Sequence, residues 1–187
     1  MAIEMLKNIG LEIIKRCGGL PLAIKAIGGL LSQREINEGE WEKVLKHPSW
    51  SIKGIPEDVN HAIYLSYEDL TPPLRQCFMY ISLFPQNTDR MISRGRAVAM
   101  WISEGFIHGS SNELEEVGEE YFEELILRNL IEPVTKYVAY SPCTMHDIVR
   151  SFAHYVFRDE ALVVQKGHTD FGGPDLVKTR RLTIQIE

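Results

Sequence analysis

Cysteine is scarce here and badly spaced for bonding. The 187 residues hold three cysteines, Cys17, Cys77 and Cys143, an odd number with no CxxC pair. A disulfide framework and a zinc site are therefore excluded as first readings. Each cysteine falls at an apolar position of its segment, which predicts buried free thiols in a reducing compartment. No apolar run approaches the ~20 residues needed to cross a bilayer. No secretory leader pattern is present, so cytoplasm or nucleus is the expected location. Positive charge is also short: 20 Lys and Arg face 26 Asp and Glu, for a net charge of −6. Such a chain is a poor candidate for binding nucleic acid or an anionic membrane. There is no GxxxxGK[ST] and no strand ending in paired acids, so neither a phosphate cradle nor a Mg²⁺ site is expected. His47, His61, His108, His154 and His168 lack a Ser, Cys or acidic partner at a recognisable spacing, and none has metal-ligand spacing. Packing or solvent-facing roles are expected for them, and an enzymatic reading is the weakest of all. The chain carries no internal repeat and no low-complexity stretch.

What remains is helical periodicity with strong punctuation. "EMLKNIGLEIIKRC" places Met5, Ile9, Ile13 and Cys17 on one face, and Gly18 and Gly19 stop it. Pro21 opens the next helix, "PLAIKAIGGLLS", where a first-turn proline costs no hydrogen bond. "NEGEWEKVL" predicts a third, capped by Asn37 with Trp41, Val44 and Leu45 inward. "PEDVNHAIYLSYEDL" predicts a fourth. Thr71 followed by Pro72 starts a fifth with Leu74, Cys77, Phe78 and Ile81 inward, ended by Pro85. Ser93 caps a sixth with Ala97, Val98, Trp101 and Ile102 inward, stopped by Gly105. Trp101 and Phe106 read as core, Arg94 and Arg96 as surface charges. Asn112 and Glu115 have capping-box spacing for a long helix burying Leu114, Val117, Tyr121 and Leu125. "NLIEPVTKYVAYSP" predicts a β-hairpin turning near Thr135–Lys136, its first strand weakened by Pro133. "GHTDFGGPD" reads as an exposed loop and "VKTRRLTIQI" as an isolated strand.

The order helix, helix, helix, hairpin, helix outlines a winged helix. The fold class is mainly α: a partial helical bundle over 1–58, a winged-helix domain with a small β-hairpin over 59–160, and a linker over 161–187.

"SPCTMHDIVRSFAHYVF" is the most specified helix start. Thr144 and Asp147 have capping-box spacing, with Asp a weaker second member than Glu, and Met145, Ile148, Val149, Phe152, Tyr155 and Val156 form an apolar stripe. Those features leave His146 without a role. Positive charge at a helix N-terminus disfavours protonated histidine and suits a neutral imidazole donating to an anion.

"CGGLPLAIKAIGGLL", "LSYEDLTPPLRQCFMYISLFP", "AVAMWISEGFI" and "MHDIVRSFA" occur in this order. Together they closely resemble the C-terminal half of the NB-ARC module of plant nucleotide-binding leucine-rich-repeat resistance proteins, in particular the coiled-coil class. The resemblance covers about residues 1–160, and "RRLTI" is similar to the lead-in to the leucine-rich repeats. It implies an ADP/ATP-dependent switch of an intracellular immune receptor, closed over ADP at rest. It further implies that Pro21 packs on the adenine, that Gly19 lets the backbone approach closely, and that His146 reaches the β-phosphate. Thr144 and Asp147 would cap and hold that helix start. The implied partners are an upstream P-loop domain, downstream leucine-rich repeats, and further copies on activation. This chain alone is expected to bind little or no nucleotide.

Two other readings compete. One is a protein-interaction module with no ligand role. The other is a DNA-binding winged helix. That reading is disfavoured by the long helix, where Glu113, Glu115, Glu116, Glu119, Glu120, Glu123 and Glu124 precede the first cation, Arg128. Carboxylates facing phosphates repel, and the Glu run reads as a solvated face.

Overall fold

The computed structural model describes residues 2–52, 60–84, 91–134, 142–157, 161–165 and 181–185, the last two segments by backbone alone. Helix α1 (Ala2–Arg16) runs into Gly18 and Gly19, whose φ values of 63° and 74° place both in the left-handed region where glycine is favoured. The chain reverses there into α2 (Pro21–Ser32), and α3 (Glu38–Leu45) follows, with the Asn37 side chain accepting from Glu40 N–H. After a short 3₁₀ turn (Pro48–Ser51), α4 (His61–Glu68) begins at Asn60, which accepts from Ala62 N–H and donates to Cys17 O at 3.0 Å. The expected earlier start of α4, at Pro56 to Val59, lies outside the described residues. Ile13, Cys17, Ala23, Ile27, Leu30, Val44, Ala62 and Leu65 close into one core. Met5, expected inward, is 44% exposed.

A second core collects α5 (Pro72–Ser82), α6 (Arg94–Ser103), α7 (Leu114–Leu127) and α8 (Asp147–Phe157) around Phe78, Trp101, Phe122 and Phe152. Between α7 and α8, β2 (Glu132–Pro133) pairs antiparallel with β3 (Pro142–Thr144). The hairpin is as the sequence implies, with its turn outside the described residues. Pro133 is tolerated because β2 is an edge strand. The pattern had not signalled β1 (Ile92–Ser93), which adds to the other side of β3 and gives the sheet order β1-β3-β2. This is the winged-helix arrangement. Phe106 is core as expected, and all three cysteines are buried and free.

Several helix starts differ from expectation. Thr71 and Ser93 occupy cap positions but make no side-chain cap bond. Asn112 and Glu115 form no capping box at the start of α7. The cap residue is Glu113, whose carboxylate accepts from Ser110 N–H in the preceding turn; the Ser110 side chain first, and its backbone N–H second, hold the Glu113 pKa below the usual range. Arg94 is a surface charge, as expected, and a paired one: it bonds Glu119 at 3.2 Å and Glu123, and its guanidinium lies 5.0 Å from the Phe122 ring centre. Those pairs neutralise part of the Glu run, while Glu119 and Glu123 stay 44% and 49% exposed. The C-terminal strand is not isolated either, since β4 (Ala161–Gln165) and β5 (Arg181–Gln185) pair in parallel.

The boundary near residue 58 is not a clean break. Helix α2 gives Ala23, Ile27 and Leu30 to the first core and Leu22 and Ala26 to the second. Helix α4 divides in the same way, with Ala62 and Leu65 on one side and Ile63 on the other. A close approach lies further along α2. A Cβ on Gly29 would stand 2.3 Å from Leu127 O and 2.5 Å from Arg128 Cα, at the end of α7. Its neighbour Gly28 has nothing within 4 Å.

This contrast sets a test. Gly29→Ala should destabilise the chain by about 1–3 kcal/mol in urea unfolding, because backbone must move to admit one methyl group. Gly28→Ala, exposed and helical, should stabilise it by about 0.5–1 kcal/mol.

Candidate nucleotide-lid site

The two candidate segments each lie at a helix start. Leu20 is the extended cap residue of α2, its carbonyl accepting from Ile24 N–H at 3.1 Å. Pro21 then occupies the first helical position and is exposed. With no N–H of its own, its ring can be covered by a flat ligand without burying an unpaired donor. Gly19 is exposed, and a Cβ there would meet nothing within 4 Å, so its positive φ alone accounts for glycine within this chain.

At the other segment the cap is the histidine itself. The His146 carbonyl accepts from Arg150 N–H at 2.9 Å, the first intrahelical bond of α8, and its ring Nδ1 accepts from Ile148 N–H at 3.3 Å. This is the geometry of an N-cap side chain. The expected box of Thr144 with Asp147 gives way to it, for a topological reason. Thr144 is still in β3, held opposite Glu132, so its backbone is committed to the sheet two residues before the cap. Asp147 is the first residue of α8 and exposed; burial pushes the pKa of Arg150 one turn on below its ordinary value, and the Asp147 charge opposes that shift. An acid there also complements the helix dipole.

The cap bond fixes the tautomer of His146. An Nδ1 that accepts carries no proton, so the neutral ring bears it on Nε2. The exposed imidazole therefore presents an N–H donor beside a helix N-terminus, where backbone donors lack intrahelical acceptors.

Two side chains hold α8 in place: Arg150, which the sequence does not single out, and His154, for which it predicts only a packing or solvent-facing role. Arg150 Nη1 donates to Ser82 O at 2.5 Å and Phe84 O at 2.6 Å, and His154 Nε2 bonds Ser82 O at 3.0 Å. These carbonyls close the C-terminal end of α5, the negative end of its dipole. Only their i, i+4 spacing on α8 hinted that the two side chains act together. Tyr64 and Tyr67 of α4 meet Phe152 edge-on at 5.9 and 5.3 Å between ring centres, so α8 rests on the helix that also packs on α2. Leu22, next to Pro21, and Met145, next to His146, belong to the same core. The two candidate segments thus rise from one packed unit, with Pro21, Gly19, His146 and Asp147 all at its surface.

A three-helix core closed by a wing and a fourth helix defines a winged-helix protein. Comparison narrows this. Residues 83–153 match the family described as the disease resistance protein winged helix domain. Disease resistance protein RGA2 of Solanum bulbocastanum is 35% identical over 80% of the chain, and disease resistance protein RPP8 of Arabidopsis thaliana 36% identical over 79%. ToMV resistance protein Tm-2(2) of Solanum lycopersicum is 34% identical over 95% of the chain. The chain belongs to the plant disease resistance protein family, NB-ARC class. It spans 15%, 17% and 21% of the length of RGA2, RPP8 and Tm-2(2) respectively.

Burial holds the pKa of His154 below its ordinary value, with Arg150 adding to the shift and the Ser82 bond opposing it. The sign follows from linkage. The folded state resists protonation, so stability is full above the unfolded-state pKa of ~6.5 and falls as pH drops through it. Unfolding midpoints should therefore decline between pH 7.5 and 5.5 more steeply in the native protein than in His154→Gln, which keeps a donor but does not titrate.

Proposed function

We propose that this chain is the lid and sensor part of an ADP/ATP-dependent switch in an intracellular plant immune receptor. The nucleotide would lie between it and an upstream P-loop domain, with leucine-rich repeats downstream. Pro21 would cover the adenine, Gly19 would border it, and His146 would donate from Nε2 to the β-phosphate. The observation that carries this reading is the Nδ1 cap bond, which orients the His146 ring and leaves Nε2 to donate. Thr144 and Asp147 support the site indirectly, the first through the wing strand and the second through the dipole and Arg150. ADP/ATP is the ligand of the whole receptor. This chain supplies no P-loop and is expected to bind little alone and to catalyse nothing.

An intracellular site of action is supported by the buried free thiols, and no helix among the described residues is long and apolar enough to cross a membrane. Exchange of ADP for ATP would remove the phosphate geometry that His146 reads and release the closed form. Only unequal binding to two states can bias them. A DNA-binding reading finds no support, since the Arg94 charge at the acidic helix is taken up by Glu119 and Glu123.

The test exploits the double duty of His146. Asparagine is a good cap, so His146→Asn should leave the unfolding midpoint of the receptor nearly unchanged while removing the imidazole donor. In calorimetric titration of the chain joined to its upstream P-loop domain, it should weaken ADP binding by about ten- to a hundredfold, the value of a hydrogen bond to a charged group. His146→Ala should lose both cap and affinity. Asp147→Val should loosen the resting form and favour signalling without a pathogen. Affinity indifferent to both His146 substitutions would reduce this helix start to a structural cap, and the interaction-module reading would replace the switch.

A further inference from the structure

A chain of charged side chains crosses the joint between the two cores. On one side, Arg34 follows α2 and pairs with Glu40 of α3 at 3.1 Å, and Glu40 also takes Lys43. On the other, Arg128 at the end of α7 holds Glu124 at 2.8 Å. Asp69, just after α4, stands between them: Oδ1 accepts from Arg34 and Oδ2 from Arg128 at 2.9 Å. One carboxylate thus takes a guanidinium from the helical part and another from the winged-helix part. The same joint carries the Gly29 contact with Leu127 and Arg128. Beside it, Asn129, at a φ of 54°, donates to Lys25 O at 3.2 Å.

The two halves of this chain are not equally hard to break. Arg128 is 4% exposed; without Asp69 it would keep Glu124, but a guanidinium buried that deeply could not replace the lost bond with water. The Arg34 side chain is 27% exposed and keeps Glu40 if it loses Asp69. A cavity of about 180 Å³ lined by Arg34, Lys43, His47, Glu68, Asp69 and Arg75 opens on that side, with room for water to solvate the separated groups.

We propose that Asp69 is the latch between the two parts and that the latch opens at its Arg34 bond, with Asp69 staying on Arg128. Closed, it holds the winged helix against α2 and α3. Open, α7 and Asp69 move as one body. The link to nucleotide rests on the switch proposed above; the latch itself does not.

The test uses the full-length receptor with Arg34→Gln, Asp69→Asn and His146→Asn, reading amide hydrogen exchange and release of bound ADP. Arg34→Gln leaves no buried charge unpaired and should fold normally. It should raise exchange in residues 25–33 and 124–131 and speed ADP release about five- to tenfold, within the usual range of coupling between sites. Asp69→Asn should do more, because it also weakens the hold on Arg128. Faster exchange at the joint in a receptor that retains no ADP would support the latch and overturn the nucleotide reading. Altered ADP release in His146→Asn, with exchange and release both unchanged in Arg34→Gln, would overturn the latch and leave the nucleotide reading standing.

Discussion

Two helices bury both of their faces, and the rest of the molecule depends on this. Helix α2 turns Ala23, Ile27 and Leu30 toward one core and Leu22 and Ala26 toward the other, and α4 divides its residues likewise. A helix with an apolar stripe on only one side could be lifted away from its neighbour at little cost. A helix apolar on two sides joins its neighbours, because exposing either face returns hydrophobic surface to water. Small residues make the arrangement tight. Ala23, Ala26 and Ala62 are all fully buried, and at Gly29 the backbone of α7 occupies the space a side chain would need. The winged helix is therefore mounted on the helical part along a shared wall.

That mounting gives the exposed residues their meaning. Pro21 and His146 lie far apart in the chain, yet each follows or precedes a residue of the same core. Their helix starts are stiff for different reasons. One is fixed by paired left-handed glycines and a proline, the other by a histidine that bonds its own backbone. At α8 the rigidity comes from both ends: the imidazole closes the first turn, and Arg150 and His154 tie the body of the helix to the end of α5. A sensing group is useful only if the element that carries it does not yield when the ligand arrives.

The helices were legible in the sequence because their signals are local. Glycine pairs, first-turn prolines and Asn37 act within a few residues of where they stand, and the apolar spacing of α5 to α8 gave the core. Three things were hidden. Strand β1 is two residues long and exists only because β3 offers it an edge. Capping-box spacing points to Thr144 and Asp147 as the cap of α8, and only the register of the wing shows Thr144 already engaged. The Asp69 bonds span 35 and 59 residues of chain, beyond the reach of any periodicity. Arg94 is at the surface as the sequence predicts, but its pairs with Glu119 and Glu123 lie too far along the chain for periodicity to reveal.

The cysteines have a consequence of their own. Burial pushes the Cys17 thiol up to about 11 and those of Cys77 and Cys143 up to about 12. At neutral pH such sulfurs carry almost no thiolate, the reactive form, so these three thiols react slowly with oxidants and alkylating agents while the chain is folded. Cys17 belongs to the first core, Cys77 and Cys143 to the second. Each half of the molecule therefore contains its own silent reporter, and the order in which the sulfurs become reactive would record which half loosens first.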